Sequence, residues 1–227
     1  MKCFVTGSAG FIGANLVHEL ARAGHTVRAL IRPGSNLRGL EGASYEPVMG
    51  DVLERATLET GLRGCEWCFH VAASYHLWLR DYSPMYSTNV QGTRNVIQAA
   101  AVAGCRRIVY TSTVGCIGLP RERNGSVTPT DESTPVSGAQ MSNHYKLSKW
   151  QAEEVARDLA AKGLPVDHRQ SERSGRATRR ETNSHGAGHR GFSQPPDARL
   201  LGHRIELGPR PRCGHRPYPR RRTRTRW

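Results

Sequence analysis

Residues 2–22 read K-C-F-V-T-G-S-A-G-F-I-G-A-N-L-V-H-E-L-A-R, and this stretch decides the fold class. Lys2 to Val5 is a short apolar run suited to a buried strand. Ala14, Val17, Leu20 and Ala21 then recur at helical spacing, which predicts an amphipathic helix ended by Gly24. Between the two lie Gly7, Gly10 and Gly13, spaced G-x-x-G-x-x-G. A tight turn, the approach of a phosphate and close packing of helix on strand each require a missing side chain. The helix start would face the phosphates with unpaired N–H groups and the positive end of its dipole. Glycines are common in turns, and an ordinary structural turn is the alternative. The position directly after a first strand favours a dinucleotide pyrophosphate cradled by Gly7, Gly10, Phe11, Ile12 and Gly13.

Outward from this unit, strands and helices alternate. Thr26–Ile31 reads as a second strand stopped by Pro33 and Gly34, and Tyr45–Met49 as a third stopped by Gly50 and Asp51. A helix over about 53–62 leads to a fourth strand, Glu66–Ala72. A longer helix over 89–103 leads to a fifth, Arg107–Thr111, and a helix over 142–162 to Leu164-Pro165-Val166, the start of a sixth. This alternation predicts an α/β fold, a doubly wound parallel sheet with helices on both faces, whose ligands bind beyond the carboxyl ends of the strands. With the sixth strand cut short the sheet is incomplete and has an uncovered apolar edge.

The 227 residues carry a net charge of +14, very unevenly distributed. Residues 1–166 hold 17 Lys and Arg against 14 acids, whereas 167–227 hold 16 Arg, no Lys and 5 acids. No apolar run is long enough for a membrane span, and the strand and glycine loop begin too soon after Met1 for a signal peptide, so a cytoplasmic protein is expected. Six cysteines in a chain of this size make no secreted disulfide framework. Cys65 and Cys68 form a C-x-x-C, but the apolar run around them reads as the start of a strand; no metal site is expected.

Candidate site residues gather where the strands end. At the end of the second strand, where an acid would hold a ribose 2′-hydroxyl, stands Arg32, with Arg28 on the same strand. An arginine there favours a 2′-phosphate, hence NADP(H) over NAD(H); a solvated surface arginine is the alternative. Asp51 and Val52 would lie beside the adenine, unless Asp51 only caps a helix. Tyr145 and Lys149, at i and i+4, leave one face of one helix, and an ammonium beside a phenol lowers the phenol's pKa, which suits a proton-transferring tyrosine. An ordinary helix-face pair has the same spacing. Thr111, Ser112 and Thr113 put hydroxyls at the carboxyl edge, for holding a substrate oxygen or for capping a turn.

Six segments in order carry a resemblance: T-G-S-A-G-F-I-G at 6–13, G-D-V at 50–52, H-V-A-A at 70–73, N-V-Q-G-T-R-N at 89–95, Y-T-S-T at 110–113 and H-Y-K-L-S-K at 144–149. Together they resemble the extended short-chain dehydrogenase/reductases, within them the NAD-dependent epimerase/dehydratase group. The nearest likeness is to dihydroflavonol 4-reductase-like proteins and hopanoid-associated sugar epimerases, and A-A-S-Y-H-L-W at 72–78 is similar to the latter. The resemblance implies a Rossmann-like domain over 1–166 and a reductase or epimerase acting at a hydroxyl or carbonyl carbon of a small sugar-like or flavanonol-like molecule. It implies Tyr145 as the acid/base, Lys149 on the nicotinamide ribose and tuning Tyr145, Thr113 orienting the substrate oxygen with Ser112 as substitute, Ala72 and Ala73 bordering the cofactor, and Asn89 bracing the sheet. Val114 and Gly115 stand where a sugar-nucleotide dehydratase has an acidic pair, which disfavours dehydration. A homodimer is implied for the intact family protein.

The resemblance stops at Val166. From Asp167 onward arginine dominates, with Gly, Pro and His and no hydrophobic period, the composition of a disordered basic tail. A nucleic-acid-binding arm on a catalytically dead protein is one reading; translation in the wrong frame accounts for more. Residues 167–173, D-H-R-Q-S-E-R, can be encoded GAT CAT CGT CAA TCC GAG CGC. Read from the second base, this gives I-I-V-N-P-S, which continues Leu164-Pro165-Val166 as a buried strand. One surplus nucleotide near codon 167 suffices, and a chain so truncated is expected to turn over little or not at all.

Overall fold

The computed structural model describes residues 1–117, 121–123, 126–128, 130, 134 and 136–167. The basic stretch from 168 onward, and with it nearly all of the expected tail, lies outside the described residues.

Six parallel strands form one sheet: β1 (Lys2–Thr6), β2 (Thr26–Ile31), β3 (Glu46–Met49), β4 (Trp67–His70), β5 (Arg107–Tyr110) and a short last strand, β8 (Val166–Asp167). Their order is β3-β2-β1-β4-β5-β8. A separate antiparallel hairpin, β6 (Arg121–Arg123) and β7 (Ser126–Thr128), was not expected from sequence. The chain winds from β1 through β2 to β3 and then crosses to β4, so the loops leaving β1 and β4 diverge and open a crevice at this switch point.

Each strand alternates its faces. Phe4, Leu30, Cys68 and Ile108 point into a core shared with α2 (Arg55–Leu62), α4 (Gly92–Val102) and α5 (His144–Ala161), through Leu58 and Leu62, Val96 and Ile97, and Val155 and Leu159. Helix α1 (Phe11–Arg22) buries Ala14, Val17 and Leu20 outside that cluster, alongside β1 and β2. The doubly wound arrangement follows from this two-faced burial. Helix ends repeat one device: a positive-φ glycine such as Gly104 stops α4 and Cys105 turns inward just before β5.

The described helices and strands follow the sequence pattern with local departures. The strand expected over 66–72 is only Trp67–His70, because the N–H groups of Val71 and Ala72 turn to the Thr6 hydroxyl, each at 3.2 Å. The helix expected to start at Asn89 is preceded by a short turn, α3 (Ser83–Tyr86), and by a π-helical turn over Ser87–Gln91. Ser83-Pro84 carried that signal, since proline suits a first helical turn. The edge expected to be bare is partly covered. Val166 and Asp167 pair with Ile108 and Val109, and Asp167 takes two hydrogen bonds from Arg107.

Candidate active site at the carboxyl edge

The turn from β1 into α1 is built on two glycines the backbone cannot do without. Gly7 has φ +70°, and a Cβ there would lie 2.6 Å from the Ala72 nitrogen. A Cβ on Gly13 would lie 2.1 Å from the Gly7 carbonyl oxygen. Gly10 differs: its nearest neighbour would be the Gly7 oxygen at 3.3 Å, and the rest of its surroundings is a groove of about 730 Å³. Gly10 also caps α1 with no side-chain hydrogen bond, and no acid stands in the first turn. The opening N–H groups are therefore available to an anion. Phe11 and Ile12 flank them, both exposed. Ser8, which sequence reasoning passed over, ties the loop to β2 by donating to the Leu30 carbonyl at 2.6 Å.

The groove passes from this loop between Arg32, Ser35, Asp51 and Val52 on one side and Val71, Ala72, Ala73, Ser74 and Tyr75 on the other. Arg32 is exposed and also lines an adjoining hollow of about 470 Å³ with Ser35, Gly50 and Asp51. Arg28 does not join it. It lies on β2 as expected, but its guanidinium is committed to Glu46 at 2.8 Å and to the Gly61 and Arg63 carbonyls at 3.1 and 2.8 Å. Asp51 lines the groove and accepts from the Leu53 N–H at 2.9 Å in a turn ahead of α2; the residue at the cap of α2 is Glu54, so Asp51 is not its cap. Val52 is a core side chain seated against Gly92.

At the other end, Asn143 caps α5 by accepting from the Lys146 N–H at 2.8 Å, which sets the phase of the helix. Tyr145 is half-buried, with the Thr113 hydroxyl close enough to act on its phenol, and Thr113 accepts from the Gly115 N–H. Burial raises the Tyr145 phenol above the ordinary tyrosine value, with the nearby Thr113 hydroxyl opposing the rise only in part. The lowering expected from Lys149 is absent, since the ammonium turns instead to the Thr111 carbonyl at 2.8 Å, over the Tyr110 ring at 4.5 Å. Lys149 is only 3% exposed, and burial brings it down to about 8. Ser112 is not a second substrate hydroxyl in this arrangement: it donates to Glu153, a buried acid that sequence reasoning missed. Tyr75, also missed, packs edge-on against Tyr145 with ring centroids 4.6 Å apart.

A buried polar chain supports the crevice from below. The Thr6 hydroxyl, which accepts from two N–H groups, bonds His70 Nδ1 at 2.8 Å; His70 Nε2 meets the Thr93 hydroxyl at 3.0 Å, and Thr93 donates to the Asn89 carbonyl at 2.6 Å. Burial and the nearby Lys149 hold His70 neutral, down to about 3. The Asn89 side chain accepts from the Ser74 N–H at 2.7 Å and donates to the Ser74 carbonyl and the Ser148 hydroxyl. Asn89 thus pins the loop after β4 to α5, a correction to its expected role on the sheet. Cys65 and Cys68 sit in the core, where burial pushes both thiols up. Among the described residues no cluster of His, Cys, Asp or Glu could hold a metal, and no helix is long and apolar enough to cross a membrane.

Comparison with known proteins matches residues 3–166 to the NAD dependent epimerase/dehydratase family. The chain belongs to this family. A Synechocystis sp. protein provisionally named dihydroflavonol 4-reductase is 42% identical over 163 residues, 72% of this chain and 46% of that protein. The crystal structure of gox2253 is likewise 42% identical, with a TM-score of 0.65 over 72% of this chain and 49% of the other. DesIV, a dTDP-glucose 4,6-dehydratase from Streptomyces venezuelae solved with NAD bound, is 31% identical with a TM-score of 0.62, covering 73% and 54%. The chain spans about half the length of the curated relatives it matches. Its parallel sheet is the Rossmann-like sheet of this family; the glycine turn lies at its carboxyl edge, and so does the start of α5, where Tyr145 packs on Tyr75 and Lys149 reaches the Thr111 carbonyl.

Proposed function

We propose that this epimerase/dehydratase-family domain binds NADP(H) in preference to NAD(H) and serves a reductase or epimerase acting at a hydroxyl-bearing carbon of a small molecule. The observation that carries the reading is the edge-on packing of Tyr145 against Tyr75, a residue of the groove lining, which sets the Tyr145 phenol beside the crevice. The groove fits a dinucleotide because Gly10 leaves the α1 N-terminus open where a side chain would close it. A bound nicotinamide supplies or accepts the hydride. Tyr145 gives its hydroxyl proton to a substrate carbonyl oxygen, or takes one from an alcohol, while Thr113 holds that oxygen in place. Lys149 would hold the ribose of a bound cofactor, and its ammonium beside the Tyr145 oxygen would favour the phenolate. Arg32, with the Ser35 hydroxyl beside it, holds a 2′-phosphate.

The matched residues end at Val166, so this chain by itself turns over little or not at all. The test uses the gene with the inferred surplus nucleotide removed. Its product should reduce or epimerise a carbonyl substrate, and Tyr145→Phe should lower kcat by about 10²-fold or more with NADPH binding unchanged. A Tyr145→Phe protein that keeps full turnover would overturn the assignment.

A further inference from the structure

Tyr145, Lys149, Glu153 and Arg157 follow one another at i+4 along a single face of α5, alternating phenol, cation, anion and cation. Only the first two have a part in the reaction described above. Glu153 is 3% exposed, a costly place for a carboxylate unless its oxygens are used. Both are: Oε2 accepts the Ser112 hydroxyl and Oε1 the Arg157 guanidinium. Ser112 directly follows Thr111, whose carbonyl holds the Lys149 ammonium.

We propose that Glu153 is a positioning residue: its buried carboxylate, anchored by Ser112 and Arg157, is the counter-charge that keeps Lys149 cationic at the carboxyl edge and fixes the strand end that holds it. The inference rests on the role given to Lys149 above. Without a counter-charge, an ammonium this deeply buried would lose its proton near neutral pH and could neither bind a ribose nor favour a phenolate. Among the described residues, the groups that bear on Lys149 are few. Tyr110 lies under it from β5, Cys116 approaches from the turn after Thr113, His70 is neutral on β4, and Tyr145 and Glu153 flank it on α5. Cys116 is itself pushed up to about 11 by burial, so at neutral pH Glu153 is the one full negative charge in this set.

The chain has four lysines, Lys2, Lys146, Lys149 and Lys162, so the full-length protein labelled with ¹³Cε-lysine gives four signals, and Lys149→Arg identifies the one of interest. In the wild type the Lys149 signal should titrate near 8. In Glu153→Gln, which keeps the shape and can still accept from Ser112, the midpoint should fall by about one to two pH units. In Arg157→Gln, at an exposed position that tolerates change, it should rise, because the carboxylate then faces Lys149 alone. A midpoint unmoved in a folded Glu153→Gln protein overturns the proposal; should that variant fail to fold, an unmoved or lowered midpoint in Arg157→Gln does so. The measurement needs no cofactor and no turnover, so its failure is separate from failure of the Tyr145 assignment.

Discussion

Adding a methyl group to Gly13 and to Gly10 should separate what the fold needs from what a ligand needs. In Gly13→Ala the new carbon would sit 2.1 Å from the Gly7 oxygen, 2.6 Å from the Gly7 carbonyl carbon and 2.9 Å from the Ser8 Cα. Ordinary contacts lie at about 3.5 Å, so α1 must withdraw by more than about 1 Å. All three neighbours are backbone, and no flexible side chain can move aside. Overpacking of this kind costs about 1–3 kcal/mol, and a purely backbone clash belongs at the upper end. At about 2–4 °C per kcal/mol for a chain of this size, Tm should drop by about 6–12 °C. In Gly10→Ala the one close neighbour is the Gly7 oxygen at 3.3 Å, so Tm should move by no more than about 2 °C. Its methyl group would stand in the groove at the α1 N-terminus, where a phosphate approaches. NADPH affinity should fall at least about tenfold, or about 1.4 kcal/mol. Far-UV circular dichroism melts and NADPH fluorescence titrations read the two effects. A Gly13→Ala protein melting within about 2 °C of wild type, or a Gly10→Ala protein binding NADPH normally, would refute the reasoning.

Three further outcomes are expected. Arg32→Asp should reverse or erase a preference for NADPH over NADH, and an unchanged ratio of dissociation constants would remove the 2′-phosphate assignment. His70, about 3 when folded, titrates near 6.5 in an unfolded chain. As pH falls below 6.5 the unfolded state takes up a proton that the folded state refuses, so stability should decline by up to about 1.4 kcal/mol per pH unit towards pH 3. Carboxylates join only below about pH 5. Urea unfolding should therefore show a loss between pH 6.5 and 5 that flattens in His70→Gln; an equal slope in both proteins would count against the neutral-histidine bridge. Sequencing the gene across codons 160 to 175 should reveal one surplus nucleotide, with an open frame continuing I-I-V-N-P-S after Val166; an immediate stop in the offset frame would rule that out.

The parallel sheet, its glycine turn and the Tyr145–Lys149 pair were legible in the chain because each depends on neighbours close in sequence. A strand, a turn and a helix within 22 residues bring Gly13 onto Gly7, and i,i+4 spacing alone puts Tyr145 and Lys149 on one helix face. Partners from elsewhere in the fold were not legible. Ser112 is drawn to Glu153 across 41 residues, Arg28 to Glu46 across 18, and Asn89 to Ser148 across 59. Periodicity says which side chains share a face but not which groups another strand or helix delivers to it. For the same reason the lowered tyrosine expected from sequence gave way to a raised one. Only the packed structure determines that Lys149 spends its hydrogen bond on the Thr111 carbonyl and that Tyr145 is desolvated where it meets Thr113.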